Sequence, residues 1–235
     1  MMEAVHCRQC NSPVNGKFCA NCGAKTSVSK ITVHNVVHEV FHYFTHLDKG
    51  FALTLKKLIT SPGKMQKDYI EGDRARHQKP FSMFFLCGTF SGLGLYMISV
   101  GLRQFYGEID DAQTDFYRHY YILTQAILLP VYTLITWLVF KNQKYNFAET
   151  LVMLLYKLSL VFLVVVIVSS IKLLFPDFDP RIGEVIFVLF YNILTNIRFY
   201  EGNKFLIALQ SLVTIALCYL CAQGLSTLGT SLLKH

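Results

Sequence analysis

Charge is scarce in this chain. Of its 235 residues only 16% are Asp, Glu, Lys or Arg while 53% are apolar, and the mean hydropathy is +0.38. A soluble domain carries about 25% charged residues, so this composition is tilted toward lipid. Also missing are a P-loop, a G-x-S-x-G elbow, a G-x-G-x-x-G turn and a pair of carboxylates on one helix. The common soluble enzyme chemistries therefore lack their residues. Disorder, a collagen repeat and a disulfide-rich secreted scaffold are excluded by the same composition.

What is present is a set of long apolar runs separated by short polar breaks. Inside hydrocarbon every backbone polar group must be satisfied within the segment, which a helix achieves alone. The runs predict five spans, at about 81–102, 120–140, 151–175, 183–198 and 204–230. Each approaches or exceeds the roughly 20 residues that a bilayer demands, the fourth being the shortest. The predicted fold class is thus an all-α polytopic membrane protein of about five transmembrane helices, with small elements before the first span.

The basic residues are not spread evenly. Residues 1–80 hold 12 Lys and Arg against 6 Asp and Glu, whereas residues 81–235 hold 10 against 9. A basic arm next to a span is expected on the cytoplasmic side and near anionic lipid headgroups. Nucleic acid is the disfavoured partner, because the basic residues are dispersed rather than clustered. The loops 103–119, 141–149, 172–184 and 198–204 net −2, +1, −1 and +1. That alternation agrees with an N-terminus inside and a C-terminus outside. Counted as Lys and Arg alone the two sides tie, so the basic arm carries the orientation. A re-entrant pair made of spans four and five would return the C-terminus to the inside.

Four of the seven cysteines form C-x2-C-x8-C-x2-C, as Cys7, Cys10, Cys19 and Cys22. Two close pairs of thiolates can close a tetrahedron on one zinc ion. Each pair must turn both sulfurs inward through a knuckle, where a residue at positive φ helps; Asn11 follows Cys10 and Gly23 follows Cys22. Two disulfides are the rival reading, and they need an oxidising compartment that no signal peptide before the cysteines announces. With four protein ligands no coordination position stays open, so the zinc is expected to be structural and to fold a ribbon over residues 1–26. Such a ribbon is a surface for a protein partner.

Residues 31–80 read as an interfacial helical segment. Val33, Val36, Val37, Val40, Phe41, Phe44, Leu47 and Phe51 fall on one apolar stripe. Opposite lie His34, His38, His42 and His46, four residues apart. Within them His38-Glu39-Val40-Phe41-His42 matches H-E-x-x-H, in which two imidazoles grip a zinc ion and the glutamate activates its water. Third-ligand candidates are His46, Asp48 and Glu71. The bland alternative, a solvated polar face, is preferred: the row looks away from the apolar side, and a histidine-rich face makes a chance match easy. An accessory metal or proton-sensing role lies between the two. Ser61 is expected to cap a short helix with Pro62 in its first turn, stopping near Gly72, and the basic run 72–80 to sit at the headgroups.

Polar residues within spans are where a pathway would lie. Lys157 is expected to snorkel at the cytoplasmic edge of a span beginning at Leu158. Gln125, Asn192, Asn196, Gln210 and Gln223 are expected to join helices, and Ser91, Gly92 and Gly94 to allow close approach. Cys218 and Cys221 read as packing residues, and Pro130 as a kink.

The order of His38-Glu39, His46-Leu47-Asp48-Lys49-Gly50-Phe51, Pro62-Gly63-Lys64, Tyr69-Ile70-Glu71-Gly72-Asp73-Arg74 and Lys79-Pro80-Phe81 after the cysteines resembles a bacterial family, domain of unknown function 3667. The resemblance implies a zinc-ribbon protein of the bacterial inner membrane, and carries no catalytic residue with it. Three function classes follow: a non-enzymatic membrane protein using its ribbon as an interaction module within a larger assembly; a channel or transporter component; and a membrane metallopeptidase using His38, Glu39 and His42. A homo-oligomer is left open.

Overall fold

The computed structural model describes residues 6, 7, 10, 12–14, 16–23, 50–107 and 112–232, the side chains of 112–120 and 225–232 excepted. Among them are seven α-helices and no strand: α1 (Phe51–Thr60), α2 (Lys64–Glu71), α3 (Pro80–Tyr106), α4 (Ala112–Val139), α5 (Phe147–Ser170), α6 (Pro180–Phe199) and α7 (Lys204–Leu232). The last five are long and apolar enough to cross a membrane. This is the all-α, five-span architecture expected from the apolar runs.

Local sequence sets where the spans begin. Asn146 caps α5 reciprocally with Glu149: the Glu149 N–H donates to Asn146 Oδ1, and the Asn146 N–H to Glu149 Oε2, both at 2.9 Å. The Asp179 carboxylate accepts the Arg181 N–H at the start of α6, with Pro180 in the first turn. Pro80 opens α3 in the same way. Hydroxyls inside the spans return to their own helix, as Thr133 to the Leu129 carbonyl and Ser159 to that of Leu155, both at 2.7 Å.

The central element is α5. Its most apolar window is 61% buried within the protein, against 17% for α7. It packs against α3, α4 and α6, the α3 pairing being the most extensive in the molecule. Small residues on α3 allow close approach, as expected: a Cβ on Gly94 would lie 2.7 Å from Val166 Cγ1 of α5, and one on Gly92 2.9 Å from Ile122 Cδ1 of α4. Ser91 is fully buried beside them.

Ahead of the spans, α1, α2 and the loop to α3 form a cap on one end of the bundle. That end carries the starts of α3, α5 and α7 and the ends of α4 and α6. The Tyr156 hydroxyl of α5 donates to the Gln78 carbonyl at 2.5 Å, and the Tyr191 hydroxyl of α6 to the Leu58 carbonyl at 3.3 Å. The Gln78 N–H donates to Thr54 Oγ1 at 2.9 Å, and His77 Nδ1 lies 3.3 Å from the same hydroxyl. Gly50 lies against this loop so closely that a Cβ would meet the Arg76 carbonyl at 2.6 Å. Leu58, Met65, Gln66, His77 and Gln78 are all buried.

Three expectations change here. The short helix is capped by Gly63 rather than Ser61: its N–H donates to Gln66 Oε1 at 2.7 Å, and its φ of 80° suits glycine. A bulkier residue there would strike the Thr195 carbonyl. The run 72–80 turns inward as well as outward, because His77 and Gln78 are drawn under α1 while Arg76 pairs with Asp73 at 2.7 Å. The third span begins at Phe147, four residues ahead of its expected start at 151, so Lys157 lies ten residues inside it rather than at the edge of a span from Leu158.

Candidate functional site

The four N-terminal cysteines converge. Cys7 and Cys22 sulfurs lie 3.5 Å apart, as do those of Cys10 and Cys19, and all four fall within 4.8 Å of one another. Thiolates about 2.3 Å from a common ion occupy tetrahedron corners about 3.8 Å apart. The observed set therefore fits one metal ion. The chain reaches this geometry through two turns: the Cys7 N–H donates to the Ser12 carbonyl, and the Gly23 N–H to the Cys19 carbonyl, each at 2.8 Å. Gly23 takes φ 71°, the left-handed conformation expected after the second pair; Asn11 lies outside the described residues.

Cys7 and Cys19 are buried with Val14, and Cys10 packs beside them. So small an apolar core cannot by itself hold a fold of this size. The Ser12 hydroxyl first, and its backbone second, lower the Cys10 pKa to about 6 by stabilising its thiolate. A thiolate is the form that binds metal.

The histidine row is a different matter. His34, His38, Glu39, His42 and His46 lie outside the described residues, as does Asp48. Glu71, the remaining third-ligand candidate, instead faces Lys144 at 3.4 Å. Lys144 and Lys67 both also reach Glu201, at 3.2 and 2.7 Å, so the cap is tied to two interhelical turns. Their hydrogen bonds, that of Lys67 first, hold the Glu201 carboxyl below the usual range.

A second polar centre lies within the bundle. Lys157 is 4% exposed and does not snorkel; its Nζ donates to Asn196 Oδ1 at 2.9 Å and Asn192 Oδ1 at 3.1 Å. Asn196 Nδ2 in turn donates to Asn192 Oδ1 at 2.8 Å and Ser211 Oγ at 2.9 Å. The two asparagines thus join α5, α6 and α7 as expected of in-span amides, with the lysine as the unforeseen hub. Their four-residue spacing, one face of α6, was the available signal. Gln210 likewise bridges helices, reaching the Val139 carbonyl at 3.2 Å. Gln223 bonds Tyr219 within its own helix. Cys218 packs on the core, whereas Cys221 is exposed.

Residues 48–92 match the family described as protein of unknown function DUF3667. The resemblance, read across residues 7–81, thus holds from Asp48 onward, its cysteine and His38-Glu39 part lying outside the match, which coincides with the cap and the first half of α3. Several residues of the matched stretch have structural roles here. Gly50 and Gly63 sit at close approaches, and Arg74 donates to the Tyr69 and Ile70 carbonyls at the end of α2, at 3.3 and 3.2 Å. No curated protein and no solved structure matches the chain.

Proposed function

We propose that this chain is a multi-pass protein of the bacterial inner membrane that presents a cytoplasmic zinc ribbon as an interaction module, within a larger assembly. The observation that supports it most is the convergence of Cys7, Cys10, Cys19 and Cys22 within 4.8 Å. An all-thiolate set of this size suits zinc, and a closed set of four protein ligands leaves no place for substrate or water. The metal is structural: it folds a segment whose apolar core is three residues and a fourth packed against them. The cytoplasmic assignment rests on the basic excess ahead of the first span, which also faces anionic headgroups.

Zinc per chain on the purified full-length protein tests the reading, with wild type, Cys19→Ser and the double change His38→Ala with His42→Ala compared. One zinc is expected in the wild type and in the histidine variant, and a loss of most of it in Cys19→Ser. A second zinc that departs with the histidines would overturn the non-enzymatic reading in favour of chemistry on that segment. A pulldown from membranes tests the module itself. A partner recovered by wild type and lost with Cys19→Ser supports it, and unchanged recovery sinks it.

A further inference from the structure

We propose that Lys157, Asn192 and Asn196 form a binding site for one singly charged anion inside the helical bundle. The site does not depend on the zinc ribbon and lies at the other end of the chain's chemistry, among α5, α6 and α7.

The lysine is placed where a cation is expensive. It sits ten residues beyond the start of a 27-residue apolar span, 4% exposed. A buried ammonium is normally matched by a carboxylate. Among the described residues no carboxylate pairs with Lys157, and α6 offers it amides alone. The surrounding polar atoms are nonetheless arranged for a donor. Both asparagines turn their oxygens to Nζ, and the network fixes that orientation: Asn196 Nδ2 is committed to Asn192 Oδ1 and to Ser211, whose hydroxyl donates on to the Ile207 carbonyl at 2.6 Å.

The count of donors then leaves a remainder. An ammonium has three N–H groups, of which the asparagines take two. Asn192 Nδ2, on a half-buried side chain, makes no hydrogen bond among the described residues. Two free donors therefore meet between three helices, one of them on an amine that a bound anion would hold in its charged form. A monoanion completes both donors and matches that charge; a dianion would leave one charge unmatched. Chloride, a single carboxylate and a lipid phosphodiester share this chemistry.

Two further buried polar atoms lie beside the Tyr191 hydroxyl, where α2 meets α6. Gln66 Nε2 of α2 and Thr195 Oγ1 of α6 are buried and complete no hydrogen bond. Thr195 adjoins Asn196 and lies one turn from Asn192. Buried polar atoms of this kind are commonly satisfied by water.

The test uses the full chain in nanodiscs of neutral phosphatidylcholine, with thermal midpoints followed as sodium chloride or sodium formate replaces sodium sulfate, a dianion, at constant ionic strength. Ligand that binds the folded state raises the midpoint saturably, by an amount on the order of 5 °C at a hundredfold excess over Kd. The rise is expected in the wild type, absent in Lys157→Gln and displaced to about tenfold higher concentration in Asn192→Ala. Nanodiscs of phosphatidylglycerol separate the sources. If a lipid phosphodiester is the occupant, that lipid stabilises wild type but not Lys157→Gln, and chloride adds nothing further. Should Lys157→Gln fail to fold, Asn192→Ala decides, because it keeps the charge and the Asn196 bond. Midpoints indifferent to every anion and both lipids, or an equal response in wild type and either variant, overturn the proposal and leave Lys157 a neutral structural amine.

Discussion

At the scale of single residues, His77 shows how burial converts a titratable side chain into a sensor of pH. Its ring is buried beneath α1 with Nδ1 on the Thr54 hydroxyl, and Nε2 lies 3.7 Å from the Asp73 carboxylate. Burial first, and Lys57 second, lower its pKa; Asp73 works in the opposite sense. In the unfolded chain the imidazole takes up a proton near pH 6.5, whereas the folded ring resists it to lower pH. The unfolded state then binds more protons as pH falls, so the contribution is present above about pH 6.5 and lost below it. The thermal midpoint is expected to drop between about pH 7.5 and 5.5 in the wild type, and to drop less in His77→Asn. An equal drop in both would assign the pH dependence to other groups.

At the scale of elements, the cap is held by backbone proximity more than by its visible ion pairs. Lys67, Lys144, Glu71 and Glu201 are partly or largely exposed, and pairs of that kind contribute about 0–1 kcal/mol each. Gly63 is less replaceable: its φ of 80° and the Thr195 carbonyl against its Cα both exclude a side chain. Gly63→Ala is expected to cost about 2 kcal/mol or more, read as a lower thermal midpoint, while Glu201→Gln changes it little; equal effects would contradict this division. The same elements show what the sequence made legible. The five spans could be read because a bilayer demands length and apolarity, and the cysteine set because a tetrahedron fixes ligand number and spacing. The inward turn of His77-Gln78 could not be read, since both residues lie in a run whose charges suit the surface. Lys157 misled for a related reason. The stretch from Leu158 is long enough to span alone, and only the Asn146–Glu149 capping box shows that the helix starts ten residues before the lysine.

At the scale of the whole molecule, the parity of the spans decides which face each terminus occupies. α6 and α7 pack on one another as full-length helices, and the described apolar stretches are 20 and 21 residues long. At about 1.5 Å per residue each reaches roughly 30 Å, the thickness of the hydrocarbon core. Each is thus long enough to cross on its own, which favours two crossings over one re-entrant pair. The turns 140–146 and 200–203 lie under the cap, where Phe140 stacks on Tyr200 at 4.0 Å and Gln143 donates to the Glu201 carbonyl at 2.9 Å. The opposite end is closed by the Tyr106 hydroxyl on the Leu173 carbonyl at 3.1 Å. Single cysteines introduced into a variant lacking Cys218 and Cys221 separate these two faces: Lys141→Cys marks the capped end and Asp177→Cys the other. In intact cells a membrane-impermeant maleimide is expected to label Asp177→Cys and spare Lys141→Cys, with a C-terminal tag accessible on the same side as Asp177. Labelling of both from one side would break the five-span arrangement. Labelling of Lys141→Cys alone would keep the arrangement and invert it, turning the ribbon, the basic arm and the cap outward together.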